Sequence, residues 1–189
     1  MAKKIIVLFC FGFMLSALCM KAQTFALKTN TLYWATASLN IEPEVKLAKK
    51  STLTLGVSWN PWTFKEDTKN RKWKHLLVQP EYRYWFCNAF SGHFLGLHPF
   101  YARVNIGNLP LGGLKENRYQ GNLAGAGIGY GYHWILGNRW SIEAEVGLGA
   151  AYFHYDYYSC ERCGTKKGTD SKVRFVPTKL SVSFVYFIR

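Results

Sequence analysis

The amino-acid sequence predicts an all-β protein, an eight-stranded antiparallel up-and-down transmembrane β-barrel. Three observations lead to this prediction. Segments such as 41–47, 78–84 and 140–146 alternate strictly between apolar and charged residues. Short connections alternate with long polar ones, and aromatic residues cluster towards both ends of the segments. A membrane barrel needs strands with one apolar and one polar face, and aromatic belts at the two interfaces.

The chain begins with the features of a secretory signal peptide. Lys3 and Lys4 precede an apolar stretch over residues 5–20, which is shorter than the roughly 20 residues of a transmembrane helix. Ala22 is a small residue of the kind that precedes a cleavage site. We therefore predict a cleaved signal peptide over residues 1–22, one barrel domain over residues 23–189, and localisation in the cell outer membrane.

Four strands are predicted in the first half of the chain, over residues 25–36, 39–48, 52–60 and 75–86. The first begins the apolar alternation of the mature chain, and the second and fourth carry the alternating ions. The third places Leu53, Leu55 and Val57 on one face. Most of these segments reach the length of about 9–11 residues that a tilted strand needs to cross a bilayer.

Four further strands are predicted over residues 93–104, 119–134, 140–155 and 174–188. The sixth strand of the chain carries Gly125, Gly127, Gly129 and Gly131 on one face, so charged side chains from other strands are expected to fill the space inside it. The seventh and eighth complete the predicted lipid face with Ile142, Val146, Leu148, Leu180, Val182 and Phe184.

Prolines interrupt the regular alternation of several predicted strands. Pro43, Pro80, Pro99 and Pro177 all lie inside predicted strands. Proline donates no hydrogen bond to a ladder and belongs at edges or bulges. Because a closed barrel has no edges, each proline predicts a bulge or a strand end.

The connections and the aromatic residues give the barrel two different ends. The short connections are 48–51, 87–92 and 135–139, and the long ones are 60–74, 105–118 and 156–173. Only the connection over 35–38 is short where a long one is expected. The predicted aromatic belts are Trp34, Trp59, Trp73 and Tyr119 at the loop end, and Phe86, Trp134, Trp140 and Tyr186 at the turn end. A soluble β-sandwich or lipocalin-like barrel is the alternative.

The charged faces predict an ion-pair network inside the barrel. Its members are Lys28, Glu42, Glu44, Lys46, Glu81, Arg83, Glu143, Glu145 and Lys179. Buried charges are tolerated when they are paired and hydrogen-bonded. A proton or ion path, or acid–base catalysis, is the alternative, but the interior of an eight-stranded barrel is only just wide enough for side chains. His98 and His133 are expected on the same inward faces.

Residues with catalytic or metal-binding chemistry are few. His154 lies near Asp156 and Ser159 in the sequence, but spacing alone does not establish a hydrolytic triad. Cys160 and Cys163 form a C-x-x-C motif, for which a local disulfide is favoured in an exported protein, with free or redox-active thiols or half of a metal site as alternatives. We predict no enzyme activity, cofactor or metal.

The long connections are basic. Residues 61–74, 105–118 and 156–174 contain 12 Lys and Arg against 6 Asp and Glu. A positive outer surface suits the phosphates of lipopolysaccharide or acidic glycans, although ordinary solvated loop charge is an equal alternative. The expected partners are outer-membrane lipid and lipopolysaccharide, with a fimbrial or envelope protein as a further candidate, and no nucleic acid.

Several segments resemble a family of uncharacterised outer-membrane barrels from Bacteroides-type bacteria, the domain of unknown function 3575. These segments are residues 27–35, 59–64, 79–85, 92–98, 118–121 and 129–137. The resemblance implies a small outer-membrane barrel, sometimes encoded near fimbrial genes, and supplies no catalytic residues. The chain is also similar to the barrel half of OmpA-type proteins, without their peptidoglycan-binding domain.

The expected function is that of a non-enzymatic outer-membrane barrel with a structural or surface-interaction role. An accessory factor for fimbrial assembly or anchoring is the first alternative. A lipid-modifying outer-membrane enzyme is the second.

Overall fold

The computed structural model of the protein describes residues 25–64, 71–107, 118–158 and 166–188. The predicted signal peptide, Ser159, Cys160 and Cys163 lie outside the described residues. Within the described ranges, no helix is long and apolar enough to cross a membrane.

The described part of the chain forms one antiparallel sheet that closes on itself. Its elements are β1 (Phe25–Asn30), α1 (Thr31–Trp34), β2 (Leu39–Ala48), β3 (Ser51–Asn60), β4 (Thr63–Phe64), β5 (Arg71–Trp85), β6 (Gly92–Gly107), β7 (Arg118–Ile135), β8 (Trp140–Tyr158) and β9 (Lys166–Ile188). Strand β1 pairs with β9 and β3 pairs with β5, so eight strands form a ring, to which β4 adds a short pair beside β5. The predicted all-β fold with eight antiparallel strands is confirmed.

The two ends of the ring differ. The turn end carries the connections between β2 and β3, β5 and β6, and β7 and β8, and the loop end carries the others. At the turn end Ala26, Trp85, Phe90, Phe94 and Val185 form a buried apolar cluster. Phe90 lies on the turn between β5 and β6 with a φ of 66°, and its side chain packs against Trp85 and Phe187. This cluster fills the turn end of the interior.

The prediction of a strand over residues 25–36 is wrong beyond Asn30, where α1 begins. The side chain of Asn30 accepts a hydrogen bond from the backbone N–H of Leu32 at 3.1 Å and caps the helix. Its amide donates to the carbonyl of Leu180 at 3.1 Å. Asparagine favours such N-caps because its side chain satisfies a backbone donor that the first turn leaves free.

The strands reach further at the loop end than predicted. β5 begins at Arg71 and β6 ends at Gly107. β8 and β9 pair as far as Tyr158 and Lys166, so most of the loop predicted over residues 156–173 is a β-hairpin. Polar side chains on both faces hide this extension from a search for apolar alternation.

Of the four prolines, only Pro177 marks a bulge. Beside it the register between β8 and β9 shifts and leaves Thr178 unpaired. The prediction is wrong for Pro43, Pro80 and Pro99, which lie inside β2, β5 and β6. Each keeps a partner in one neighbouring strand, while pairing with the other neighbour is interrupted without a change of register.

Apolar side chains point away from the interior of the ring. Seven predicted lipid-facing residues are exposed, namely Leu53, Leu55, Val146, Leu148, Leu180, Val182 and Phe184, while Val57 and Ile142 are half-buried on the same face. Of the predicted aromatic belts, Trp34, Trp59, Phe86, Trp134 and Trp140 are exposed, and Trp73, Tyr119 and Tyr186 are half-buried. Beyond the apolar cluster at the turn end, polar and charged residues therefore occupy much of the inside, and large apolar residues cover the outside.

Candidate functional site: a buried ion-pair network and a groove at the loop end

The interior of the ring contains a network centred on Arg83 of β5. One terminal nitrogen of its guanidinium lies 2.8 Å from Glu143 Oε1 and 3.2 Å from Glu44 Oε2. The other lies 2.6 Å from Glu145 Oε2 and 3.3 Å from Glu81 Oε2. Arg83 has no exposed surface, so it contacts four carboxylates without help from bulk water.

Two lysines extend the network along the ring. Lys28 of β1 lies 2.7 Å from Glu44 and 3.2 Å from Glu143. Lys179 of β9 lies 3.1 Å from Glu145 and also pairs with Glu81. Five strands, β1, β2, β5, β8 and β9, thus contribute charges that meet near one level of the interior.

The structure brings together eight of the nine residues predicted for this network, and they are Lys28, Glu42, Glu44, Glu81, Arg83, Glu143, Glu145 and Lys179. Lys46 is placed differently. It is half-buried at the turn end, where it lines a cleft of about 270 Å³ with Phe90 and Phe187. Its position two residues beyond Glu44 carries it past the level of Arg83.

Further polar groups also support the network, and sequence reasoning did not identify most of them. His133, which was expected inside, lies 3.2 Å from Glu143 through Nδ1. Thr52 donates to Glu44 at 2.5 Å and accepts from the indole of Trp85 at 3.0 Å. Thr52 follows the inward period of β3, so strand alternation was the signal that could have identified it.

Glycines make room for the charged side chains. Gly96 and Gly129 are paired neighbours in β6 and β7, and a Cβ on either would clash with a carboxylate oxygen, of Glu81 and Glu145 respectively. The expectation that charged residues fill the space beside the glycine face is met at Gly129. At the other three glycines the side chains closest to an added Cβ are uncharged or aromatic, namely Phe100 at Gly125, Thr178 and His98 at Gly127, and Phe94 at Gly131.

Carboxylates outnumber cations in this network. Five glutamates face Lys28, Arg83 and Lys179, and Oε1 of both Glu81 and Glu145 has no hydrogen-bond partner among the described residues. One donor atom each of Glu81, His98 and Glu145 lies within 4.8 Å of the others. A metal ion there would stand close to both Arg83 and Lys179, and like-charge repulsion disfavours this arrangement.

We expect replacement by glutamine to destabilise the protein by different amounts at different glutamates of the network. Glu143→Gln should lower the free energy of unfolding by about 1–3 kcal/mol, because Glu143 contacts two cations and His133 and a charged hydrogen bond contributes about that much. Glu145 also contacts two cations, Arg83 and Lys179, but it has no histidine partner and its Oε1 and that of Glu81 are both unpartnered among the described residues. Glu145→Gln should therefore cost less than about 1 kcal/mol, because the amide of Gln can donate to the free oxygen of Glu81. Urea unfolding of both variants in detergent micelles measures the difference, and an equal loss would contradict it.

Of the three residues considered for a hydrolytic triad, Ser159 lies outside the described residues, and His154 and Asp156 each bond to other side chains. His154 Nδ1 lies 2.8 Å from Ser171 Oγ on the exposed side of the β8–β9 hairpin. Asp156 instead forms an ion pair with Lys166 at 2.7 Å and accepts from Thr169 at 2.6 Å. The hydrogen bonds from Lys166 and Thr169 lower the pKa of the Asp156 carboxyl. The contacts of Asp156 therefore join the two strands of the hairpin.

A groove of about 610 Å³ crosses the outward-facing side of five strands at the loop end. Two rows of cross-strand neighbours line it. The row nearer the loop end contains Lys74, Asn105, Gln120 and Asp156, and the next row contains Leu76, Arg103, Asn122 and His154. Trp59 of β3 closes one side. Charged and amide side chains therefore dominate the groove.

These features define an all-β protein in which a closed eight-stranded sheet surrounds a buried ion-pair network. A family model described as "Protein of unknown function (DUF3575)" matches residues 6–188. The chain belongs to this family, as the resemblance of its segments predicted. Searches of curated proteins and of solved structures find no significant match.

Proposed function

We propose that the protein is a small, non-enzymatic outer-membrane β-barrel with a structural or surface-interaction role, exported through a cleaved signal peptide. The observation that carries this proposal is the inverted distribution of polarity. Arg83, Glu81 and Glu143 are at most 1% exposed, whereas Leu148 and Leu180 are 51% and 64% exposed. A monomeric protein in water rarely exposes large contiguous apolar surfaces, and a bilayer removes the cost of doing so.

The closed sheet supports the same proposal. In hydrocarbon every backbone N–H and C=O group needs a partner within the protein, and a closed ring of strands provides one without leaving an edge. The exposed apolar residues occur on all sides of the ring, for example Leu55 on β3, Leu97 on β6 and Val182 on β9. An apolar surface that surrounds the ring suits lipid better than one protein partner.

The filled interior supports a structural role over transport. The turn end is packed with Trp85, Phe90 and Phe94, and the level above it with the ion pairs of Arg83. Next to Glu42 the structure leaves a void of only about 10 Å³, about the volume that one water needs. The predicted partners, lipid and lipopolysaccharide, would therefore contact the outside of the ring.

Electrophoretic mobility and vesicle insertion test this proposal together. Purified mature protein should migrate faster unboiled than boiled on SDS gels, because a closed barrel resists detergent unfolding. It should also fold into phosphatidylcholine vesicles and float with them through a density gradient after a carbonate wash. A protein that is monomeric and folded in buffer without detergent, and does not float, would contradict the proposal.

A further inference from the structure

The groove at the loop end carries cations that the protein itself does not neutralise. Among the residues that the structure describes, neither Lys74 nor Arg103 has a hydrogen-bond or ion-pair partner. A third cation, Arg118, lies at the rim and donates to Asn105 at 3.1 Å and Gln120 at 2.7 Å. The one acidic side chain of the lining, Asp156, is paired with Lys166. The groove is therefore positively charged and rich in amide hydrogen-bonding groups.

The groove lies at the border between the apolar and the polar part of the outward face. One row of the groove contains Arg103 and His154. The next outward-facing row towards the turn end consists of Tyr101, Ala124, Tyr152 and Val173. Tyr101, Tyr152 and Val173 are exposed. The outward face thus changes from apolar and aromatic to cationic within one row of residues, and tyrosine is enriched where a membrane surface meets water. In a bilayer the groove would lie at the level of the outer headgroups.

We propose that this groove binds the phosphorylated saccharide headgroup of an outer-leaflet lipopolysaccharide. This inference rests on the proposed outer-membrane location and gives the surface interaction a site and a ligand class. Lys74 and Arg103 would contact the phosphates, since both are free and Arg binds phosphate through two parallel hydrogen bonds. Asn105, Gln120 and Asn122 would contact sugar hydroxyls, and Trp59 presents an exposed ring to the saccharide.

Binding of diphosphorylated lipid A by the refolded mature chain in detergent micelles tests the inference. The Lys74→Ala/Arg103→Ala variant should bind at least about tenfold more weakly, the effect of about 1.4 kcal/mol. The Lys49→Ala/Lys50→Ala variant removes two cations at the turn end and should bind as the unchanged protein does. If the first variant does not fold, Lys74→Gln/Arg103→Gln replaces it. Native mass spectrometry and thermophoresis measure the affinity.

A dephosphorylated lipid A provides the second arm of the experiment. The unchanged protein should bind it at least about tenfold more weakly than the phosphorylated form. Equal affinity for the two lipids would overturn the role of phosphate. Equal weakening of the two double variants would overturn the groove, because net charge alone would then account for binding. Gel mobility and vesicle flotation do not depend on either cation pair, so failure of this inference is distinguishable from failure of the proposed membrane location.

Discussion

Arg83→Leu is expected to lower the free energy of unfolding by about 3–5 kcal/mol, the cost of removing one partner from a buried charge cluster. The guanidinium contacts four carboxylates, of which Glu143 and Glu145 lie within 2.8 Å. Leucine would leave these negative charges with only Lys28 and Lys179 as compensating cations. It would also remove the contact with Phe94, over whose ring the guanidinium lies at 4.5 Å. Urea unfolding in micelles or vesicles, followed by tryptophan fluorescence and gel mobility, measures the loss.

Lys46→Leu is the matched control for this variant. It also replaces an inward-period cation by leucine, but Lys46 is half-buried at the turn end and outside the network. Its replacement should change the free energy of unfolding by less than about 1 kcal/mol, as for most substitutions of exposed charges. A stable Arg83→Leu variant, or equal losses in both variants, would mean that the network does not hold the ring together.

The fold was predictable because strand alternation is a local signal. Residues 140–146 assign Glu143 and Glu145 to one face and Val146 to the other without any knowledge of the neighbouring strands. The helix α1 was missed although its cap, the hydrogen bond from Leu32 to the side chain of Asn30, is local. What the sequence could not show is the second contact of Asn30, with Leu180 of β9 across the closure of the ring. The extension of β8 and β9 was missed because polar residues occupy both of its faces.

The candidate sites were predictable only in part, because they depend on register. The registers of β2, β5 and β8 decide which inward charges lie near Arg83. The prolines left those registers open in the sequence. Lys46 was assigned to the network only because it follows the two-residue alternation of β2. Its position along the strand is too far towards the turn end for contact with Arg83. The groove needs Lys74 and Arg103 in adjacent rows of neighbouring strands, whereas the sequence indicated only that the long connections are basic.

Phe90 shows a second reason why the interior of the ring could be predicted only in part. It lies on a turn with a positive φ, and its side chain packs inside the ring, where it is 7% exposed. Residues other than glycine and asparagine rarely adopt this conformation, so no local pattern predicts it. The apolar cluster at the turn end was therefore absent from the predicted interior, which consisted of the charged residues and two histidines.

Val146→Arg should cost about 2–4 kcal/mol in a bilayer, the cost of a cation at the midplane of a lipid-facing strand. Val146 lies on β8 midway between Trp140 and Tyr152, and its paired neighbours Tyr130 and Leu180 are also exposed. The side chain itself is 51% exposed, so arginine meets no clash that would destabilise the ring in water. A large cost would therefore come from the solvent around the ring rather than from packing.

Val173→Arg separates this solvent effect from a general effect of added charge. Val173 pairs with Tyr152 at the proposed boundary and is 71% exposed, and arginine near an interface costs only about 0–1 kcal/mol. Unfolding of both variants from phosphatidylcholine vesicles by guanidinium compares the two positions in one experiment. A Val146→Arg variant that is as stable as Val173→Arg would place the apolar face in water or against a protein partner, and the proposed transmembrane orientation would be wrong. A difference of about 2 kcal/mol or more requires a depth-dependent solvent, which only the hydrocarbon of a bilayer provides.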